Sequence, residues 1–282
     1  MESFRTADGR TLSYRREGSG PILVCHPGGP GFSSRYLGDM TGLGEHFTLV
    51  LLNPRGSEGS DPPDDTREYR TEDYVSDLEE LREHLGLDRM LLLGHSHGGV
   101  VAAAYAAAHP DRVERLVLAS TLARFAAEHD QAMKDGMERR ADEPWYEDAR
   151  EALRREEAGD FADDEELRQL GKREFPFYFA HFGDAERDYL EWLGEETPNG
   201  DPLRLFNTEI LKTFDLRPDL LKITVPTLVI TGDLDFITGP VCAADFATIP
   251  DQRTVLVEDC GHFILYEMRD RFRDEVASFL SD

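Results

Sequence analysis

Cysteine is scarce in this chain. Its three cysteines, Cys25, Cys242 and Cys260, form an odd set without paired spacing in 282 residues. That excludes a disulfide framework and fits a reducing cytoplasm. Long apolar runs are missing too: no window approaches 18 consecutive apolar residues, so no membrane-spanning helix is expected. The first residues, Met1 to Asp8, show neither the basic start nor the apolar stretch of a signal peptide. Cations are in deficit, with 31 Lys and Arg against 57 Asp and Glu and a formal net charge of −26. Phosphate backbones and anionic lipid surfaces reward Lys and Arg, so nucleic acid and membranes are poor partners for such a surface. A cytoplasmic protein acting on a small molecule or short peptide is expected.

A composition of 40% hydrophobic and 31% charged residues is that of a globular chain, without low complexity or an internal repeat. Short apolar runs closed by turn residues recur. Ile22–Cys25 ends in His-Pro-Gly-Gly, Phe47–Leu52 ends in Asn-Pro, and Met90–Leu93 and Val113–Ala119 follow. Such runs suit strands buried on both faces. Between them the period changes. Tyr74, Val75, Leu78, Leu81 and Leu85 share one helical face before Gly86, and an Ala-rich helix is expected over Val100–His109. Thr227–Ile230 and Thr254–Val257 repeat the strand pattern, and Met268–Leu280 reads as an amphipathic helix. This alternation predicts an α/β layered domain.

The rhythm breaks from about Thr121 to Asp215. Residues 121–215 hold 26 acidic and 13 basic residues and 13 of the 27 aromatics. Exposed amphipathic helices fit that composition. The cluster Phe175-Pro176-Phe177-Tyr178-Phe179 is too apolar for water. It is expected either to build a small core for this segment or to roof a pocket, and the two are compatible.

The strongest chemical signal is Gly94-His95-Ser96-His97-Gly98-Gly99, between a predicted strand and a predicted helix. In a Gly-x-Ser-x-Gly turn this tight, side chains at the glycine positions would collide, and the serine hydroxyl is presented at the carboxyl edge of a sheet. Serine needs a base and an orienting acid from other strand ends. Gly232-Asp233-Leu234-Asp235 offers two carboxylates after one strand; Cys260-Gly261-His262-Phe263 offers the only histidine downstream of them. Two backbone N–H groups must bind the oxyanion. One is expected from His97, the other from the Gly-rich turn His26-Pro27-Gly28-Gly29-Pro30-Gly31.

As a set these segments resemble peptidase family S33, the proline iminopeptidases and related α/β-hydrolases. His26–Gly31 is similar to the family's His-Gly-Gly-Pro-Gly, Asn53–Ser60 to its Asp-x-Arg-Gly-x-Gly-x-Ser, and Gly94–Gly99 to its Gly-x-Ser-x-Gly-Gly. Gly232-x-x-Asp235 and Gly261-His262-Phe263 match its acid and histidine segments. The chain departs from the pattern at Pro27, Asn53 and Glu58, and at His97, where the family often has Trp. The resemblance implies the α/β-hydrolase fold: a mostly parallel sheet flanked by helices, with a helical cap inserted after the sixth strand. The core would span 1–120 and 216–282 and the cap 121–215. It implies Ser96 as nucleophile, Asp235 rather than Asp233 as acid, His262 as base, and Gly29 with His97 as oxyanion donors. It further implies a serine aminopeptidase releasing N-terminal proline without a cofactor, with cap carboxylates on the substrate amine. Glu174 and Glu209, with the aromatic walls Phe177 and Phe179, are the candidates here.

Other chemistries fit less well. His95-x-His97 stands without further metal ligands, so no metal is expected. No Gly-x-Gly-x-x-Gly follows the first strand, which argues against a dinucleotide. An esterase, lactonase or amidase would use the same residues, and a binding protein that kept the fold without turnover is the remaining alternative.

Overall fold

The computed structural model describes residues 1–281. Eight strands form one sheet: β1 Glu2–Arg5, β2 Thr11–Gly18, β3 Ile22–His26, β4 Thr48–Asn53, β5 Met90–His95, β6 Val113–Ala119, β7 Thr227–Gly232 and β8 Gln252–Val257. Their order is β1-β2-β4-β3-β5-β6-β7-β8. β1 pairs antiparallel with β2 and β2 with β4, and every pairing from β4 through β8 is parallel.

The apolar runs alternate between two cores, because successive side chains of a strand face opposite ways. Val24, Val50, Leu92 and Leu118 pack on one face against Tyr74, Leu78 and Leu81 of α1 (Thr71–His84) and Val101 and Tyr105 of α2 (His97–Ala108). Leu23, Leu51, Leu93 and Val117 pack on the other, against Phe272, Val276 and Phe279 of the C-terminal helix, Arg269–Ser281. Each fully buried Leu or Val contributes about 1.5–3 kcal/mol relative to exposure. Among the described residues no helix is long and apolar enough to cross a membrane.

Helices fill the interval between β6 and β7: α3 Ala127–Glu138, α4 Tyr146–Glu157, α5 Asp164–Glu174, α6 Asp184–Leu193, α7 Gly200–Leu205 and α8 Arg217–Leu220. Where this excursion leaves and rejoins the sheet, Arg124 bridges Asp215 and the Leu216 N–H donates to the Ala123 carbonyl at 2.8 Å. The aromatic cluster forms a 3₁₀ turn over Phe175–Tyr178, held by its own small core and by the sheet's carboxyl edge.

The chain leaves β3 to form β4 on one side and then crosses to β5 on the other, so the strand order reverses at β3. A crevice opens at the carboxyl ends of strands at such a point. The loops after β3 and β5 meet there, and those after β7 and β8 lie along the same edge.

Candidate active site

Ser96 caps α2 with φ +55° and ψ −124°, a conformation costing about 1–3 kcal/mol in a non-glycine residue. The turn is held by Ser96 N–H on the Ala119 carbonyl at 2.9 Å and by the Thr121 hydroxyl on the Ser96 carbonyl at 2.7 Å. A Cβ at Gly94 would lie 2.2 Å from the Gly98 carbonyl oxygen, and one at Gly98 would lie 2.3 Å from that of His26. Both glycines are therefore steric requirements. Between Leu91 and Val100, Ser96 is the one residue that is not fully buried.

Asp235 and His262 meet behind it. His262 Nδ1 lies 3.0 Å from Asp235 Oδ2, which also accepts from the Thr238 hydroxyl at 2.7 Å. Asp235 Oδ1 accepts the backbone N–H groups of Ile237 and Thr238 at 3.1 and 3.0 Å. Burial alone pushes the Asp235 carboxyl up; the attraction of His262 and the bonds from His262 and Thr238 outweigh it and hold the group below the ordinary range. Asp233 instead accepts the Cys260 N–H at 3.4 Å. With Nδ1 so engaged, Nε2 is the nitrogen of His262 left for the cavity that both His262 and Ser96 line.

Gly29 lines the site beside Ser96 with φ +109°. His97 opens α2, and among the described residues neither the Gly29 nor the His97 N–H donates to a protein acceptor. Burial, and to a lesser degree His26, pushes the His97 imidazole down to about 3, so its ring is neutral. It packs edge-on against Tyr74 and Phe206. Around Ser96 the fold thus gathers a hydroxyl, an imidazole held by a carboxylate, and two backbone N–H groups without a protein acceptor among the described residues.

Two cavities reach Ser96. The smaller, about 110 Å³, runs between Phe175, Tyr178 and Phe263 and is also lined by Glu156 and Glu174. The larger, about 280 Å³, is lined by Gly29, His97, Leu122, Phe125, Met133 and Phe206, and shares Glu156. Glu174 is 2% exposed, and its Oε2 has no hydrogen-bond partner. Glu156 is 6% exposed and accepts from the Asn207 amide at 2.9 Å. Burial first, and the charges of Glu156 and Glu157 second, hold the Glu174 carboxyl well above its usual range; burial and the neighbouring Glu157 raise that of Glu156. Arg168 and Lys172 also reach the smaller cavity, but Arg168 is forked onto Glu165 and Lys172 is solvent-exposed.

Three of the expected binding residues stand elsewhere. Glu209 is exposed, with its carboxylate 3.7 Å from Arg70. Phe177 is buried against Trp145, Tyr146 and Phe236, and Phe179 against Phe263, Tyr189 and Tyr266. Residues three apart share a face of a 3₁₀ turn, which turns Phe175 and Tyr178 to the cavity in their place. Glu156 was not singled out from sequence. Its one signal was its place on the apolar stripe of α4 with Ala149, Ala152 and Leu153.

A family model described as "alpha/beta hydrolase fold" matches residues 21–165, just over half of the chain. The chain is an α/β-hydrolase. Within that family it is proline iminopeptidase-like. A proline iminopeptidase of Saccharolobus solfataricus is 31% identical over 95% of this chain and 87% of its own. One of Heyndrickxia coagulans is 27% identical over 99% and 98%. Among solved structures, the enol-lactonase from Burkholderia xenovorans LB400 superposes with a TM-score of 0.77 at 25% identity over the full length of both chains. This α/β-hydrolase is thus a hydrolase with peptidase-named relatives in sequence and a lactonase-named neighbour in structure.

Proposed function

We propose that this chain is a serine hydrolase working through an acyl-enzyme, and that it releases proline from the amino terminus of short peptides. Ser96 Oγ attacks the carbonyl carbon while His262 Nε2 takes its proton. Asp235 and Thr238 hold the imidazole, and the Gly29 and His97 N–H groups receive the oxyanion. His262 then gives the proton to the leaving nitrogen, and water, activated by the same imidazole, cleaves the ester on Ser96. Residues 121–215 serve as a cap that decides what reaches the serine.

The observation that carries the peptidase reading is the pair Glu156 and Glu174, buried beside Ser96 in an apolar cavity. A buried acid with an unpartnered oxygen is costly unless something completes it. A protonated N-terminal proline brings a cation for the acids and a flat apolar ring for Phe175 and Tyr178. A charge-assisted hydrogen bond of this kind contributes about 1.5–3 kcal/mol. That corresponds to roughly 10- to 150-fold discrimination against an N-blocked analogue.

The test compares kcat/KM on proline 2-naphthylamide, its N-acetyl form and a p-nitrophenyl ester. Preference for the free amine that disappears in Glu174→Gln or Glu156→Gln supports the reading. Equal rates on free and blocked amides, or turnover of the ester alone, would overturn it. The full-length likeness to an enol-lactonase makes a lactonase or esterase the second reading.

A further inference from the structure

Behind Ser96 runs a line of buried hydrogen bonds that no step above uses. The Gly28 N–H donates to the Tyr36 hydroxyl oxygen at 2.6 Å. That hydroxyl lies 2.8 Å from His95 Nδ1, and His95 Nε2 lies 3.1 Å from the His262 carbonyl oxygen. Tyr36 is 7% exposed and His95 1%. Among the described residues, neither the Tyr36 hydroxyl nor the His95 ring has another hydrogen-bond partner.

One set of proton positions satisfies this line. A carbonyl oxygen only accepts, so His95 carries its proton on Nε2. Burial, reinforced by the neighbouring His262, pushes the His95 imidazole down to about 3, so the ring is neutral and Nδ1 is an acceptor. Tyr36 must then donate to His95, and its oxygen accepts from Gly28. The single hydroxyl proton is committed, which leaves none for a substrate carbonyl.

The line joins three loops of the sheet edge. Gly28 precedes Gly29 on the loop after β3, His95 precedes Ser96 at the end of β5, and His262 stands after β8. There is no slack at the first joint, where a Cβ on Gly28 would lie 2.7 Å from Ser96 Cβ and 3.1 Å from the Tyr36 oxygen.

We propose that Tyr36 and His95 are positioning residues, a directed relay Gly28→Tyr36→His95→His262 that sets the oxyanion loop and the histidine loop at fixed distances around Ser96. The proposal rests on the reading of Ser96 as nucleophile. It adds that transition-state geometry is maintained by a phenol and an imidazole that take no part in the chemistry.

The test uses the rate at which a fluorophosphonate labels Ser96, which needs the nucleophile and the oxyanion hole but no known substrate. Tyr36→Phe keeps the ring and removes the oxygen. It is expected to slow labelling 10- to 100-fold, just below the effect of deleting an oxyanion donor outright. An alkyl boronic acid, which becomes tetrahedral on Ser96, should lose affinity by a similar factor, while the melting temperature moves by a few degrees at most and KM for a p-nitrophenyl ester stays within about twofold. His95→Leu should act alike, and the double variant should be no slower than the worse single one. Wild-type labelling in Tyr36→Phe, losses that multiply in the double variant, or a fall in labelling that only tracks a fall in melting temperature would each overturn the relay. Activity surviving in Ser96→Ala would instead overturn the serine reading beneath it.

Discussion

The Thr238 hydroxyl donates to Asp235 Oδ2 at 2.7 Å, with its oxygen 3.0 Å from His262 Nδ1. One residue thus touches both the acid and the imidazole it orients. Removing the hydroxyl in Thr238→Val takes one of four strong donors from the carboxylate and frees the ring to swing. We expect kcat to fall about tenfold with KM little changed, as for an interaction made chiefly in the transition state. Steady-state kinetics on a p-nitrophenyl ester check this, and an unchanged kcat would make Thr238 a packing residue.

Asp233 and Asp235 lie on one turn, yet only Asp235 meets His262. Asp235→Asn should lower kcat by roughly 10³- to 10⁴-fold, because an amide no longer enforces the tautomer with the proton on Nδ1. Asp233→Asn should change kcat less than about threefold and cost at most about 1 kcal/mol through the weakened Cys260 contact. The reverse ranking would move the acid to Asp233.

Glu174 makes a prediction about stability against pH. Its carboxyl is raised in the folded chain above the ordinary 4.5 of an unfolded one, so the native state holds a proton that the unfolded state releases. Stability from this group is therefore full below about pH 4 and is lost as pH rises toward the folded value, at about 1.4 kcal/mol per unit. Glu174→Gln removes that loss. The variant should melt with wild type near pH 4 and above it near pH 8. Thermal melts across that interval check it; a variant less stable at pH 8 would mean the carboxylate is ionised and paired.

The elbow glycines are predicted to be irreplaceable. Gly94→Ala and Gly98→Ala each place a methyl carbon within 2.3 Å of a backbone oxygen. A shift of the turn large enough to relieve the clash displaces Ser96. Each variant should lose more than tenfold in fluorophosphonate labelling and at least about 2 kcal/mol of stability by urea denaturation.

The sheet was legible because its inner strands are buried on both faces and interrupted by Gly and Pro, so period and punctuation agree. Strand β1 was not: Glu2–Arg5 buries Phe4 alone and is a strand only because it pairs with β2. The serine, the histidine and the pair of possible acids were legible from turns that only particular residues tolerate. Asp233 and Asp235 were indistinguishable by spacing, since their difference is a tertiary contact 27 residues away at His262. The cavity's acids were the hardest to see. The helices from Ala127 to Leu205 are dense in Asp and Glu; Glu174 is set apart only by its place beside the aromatic cluster, and Glu156 only by its place on the apolar stripe of α4. They become a pair only when α4 packs on α5. Tyr36 lies in no motif and His95 holds a variable place in the serine turn, because a relay is defined by partners from three distant loops.

The strap Tyr178–Ala180 is tied directly to the histidine loop. The His262 N–H donates to the Tyr178 carbonyl at 2.7 Å, while Glu267 accepts from both Ala180 N–H and Gly261 N–H at 2.7 and 3.0 Å. A Cβ at Gly261 would lie 2.4 Å from the Tyr178 oxygen, so the two backbones are in closest approach. The aromatic strap and the histidine loop are therefore one hydrogen-bonded unit, and the His262 amide is its gauge: its hydrogen exchange should quicken in any variant that separates the two segments.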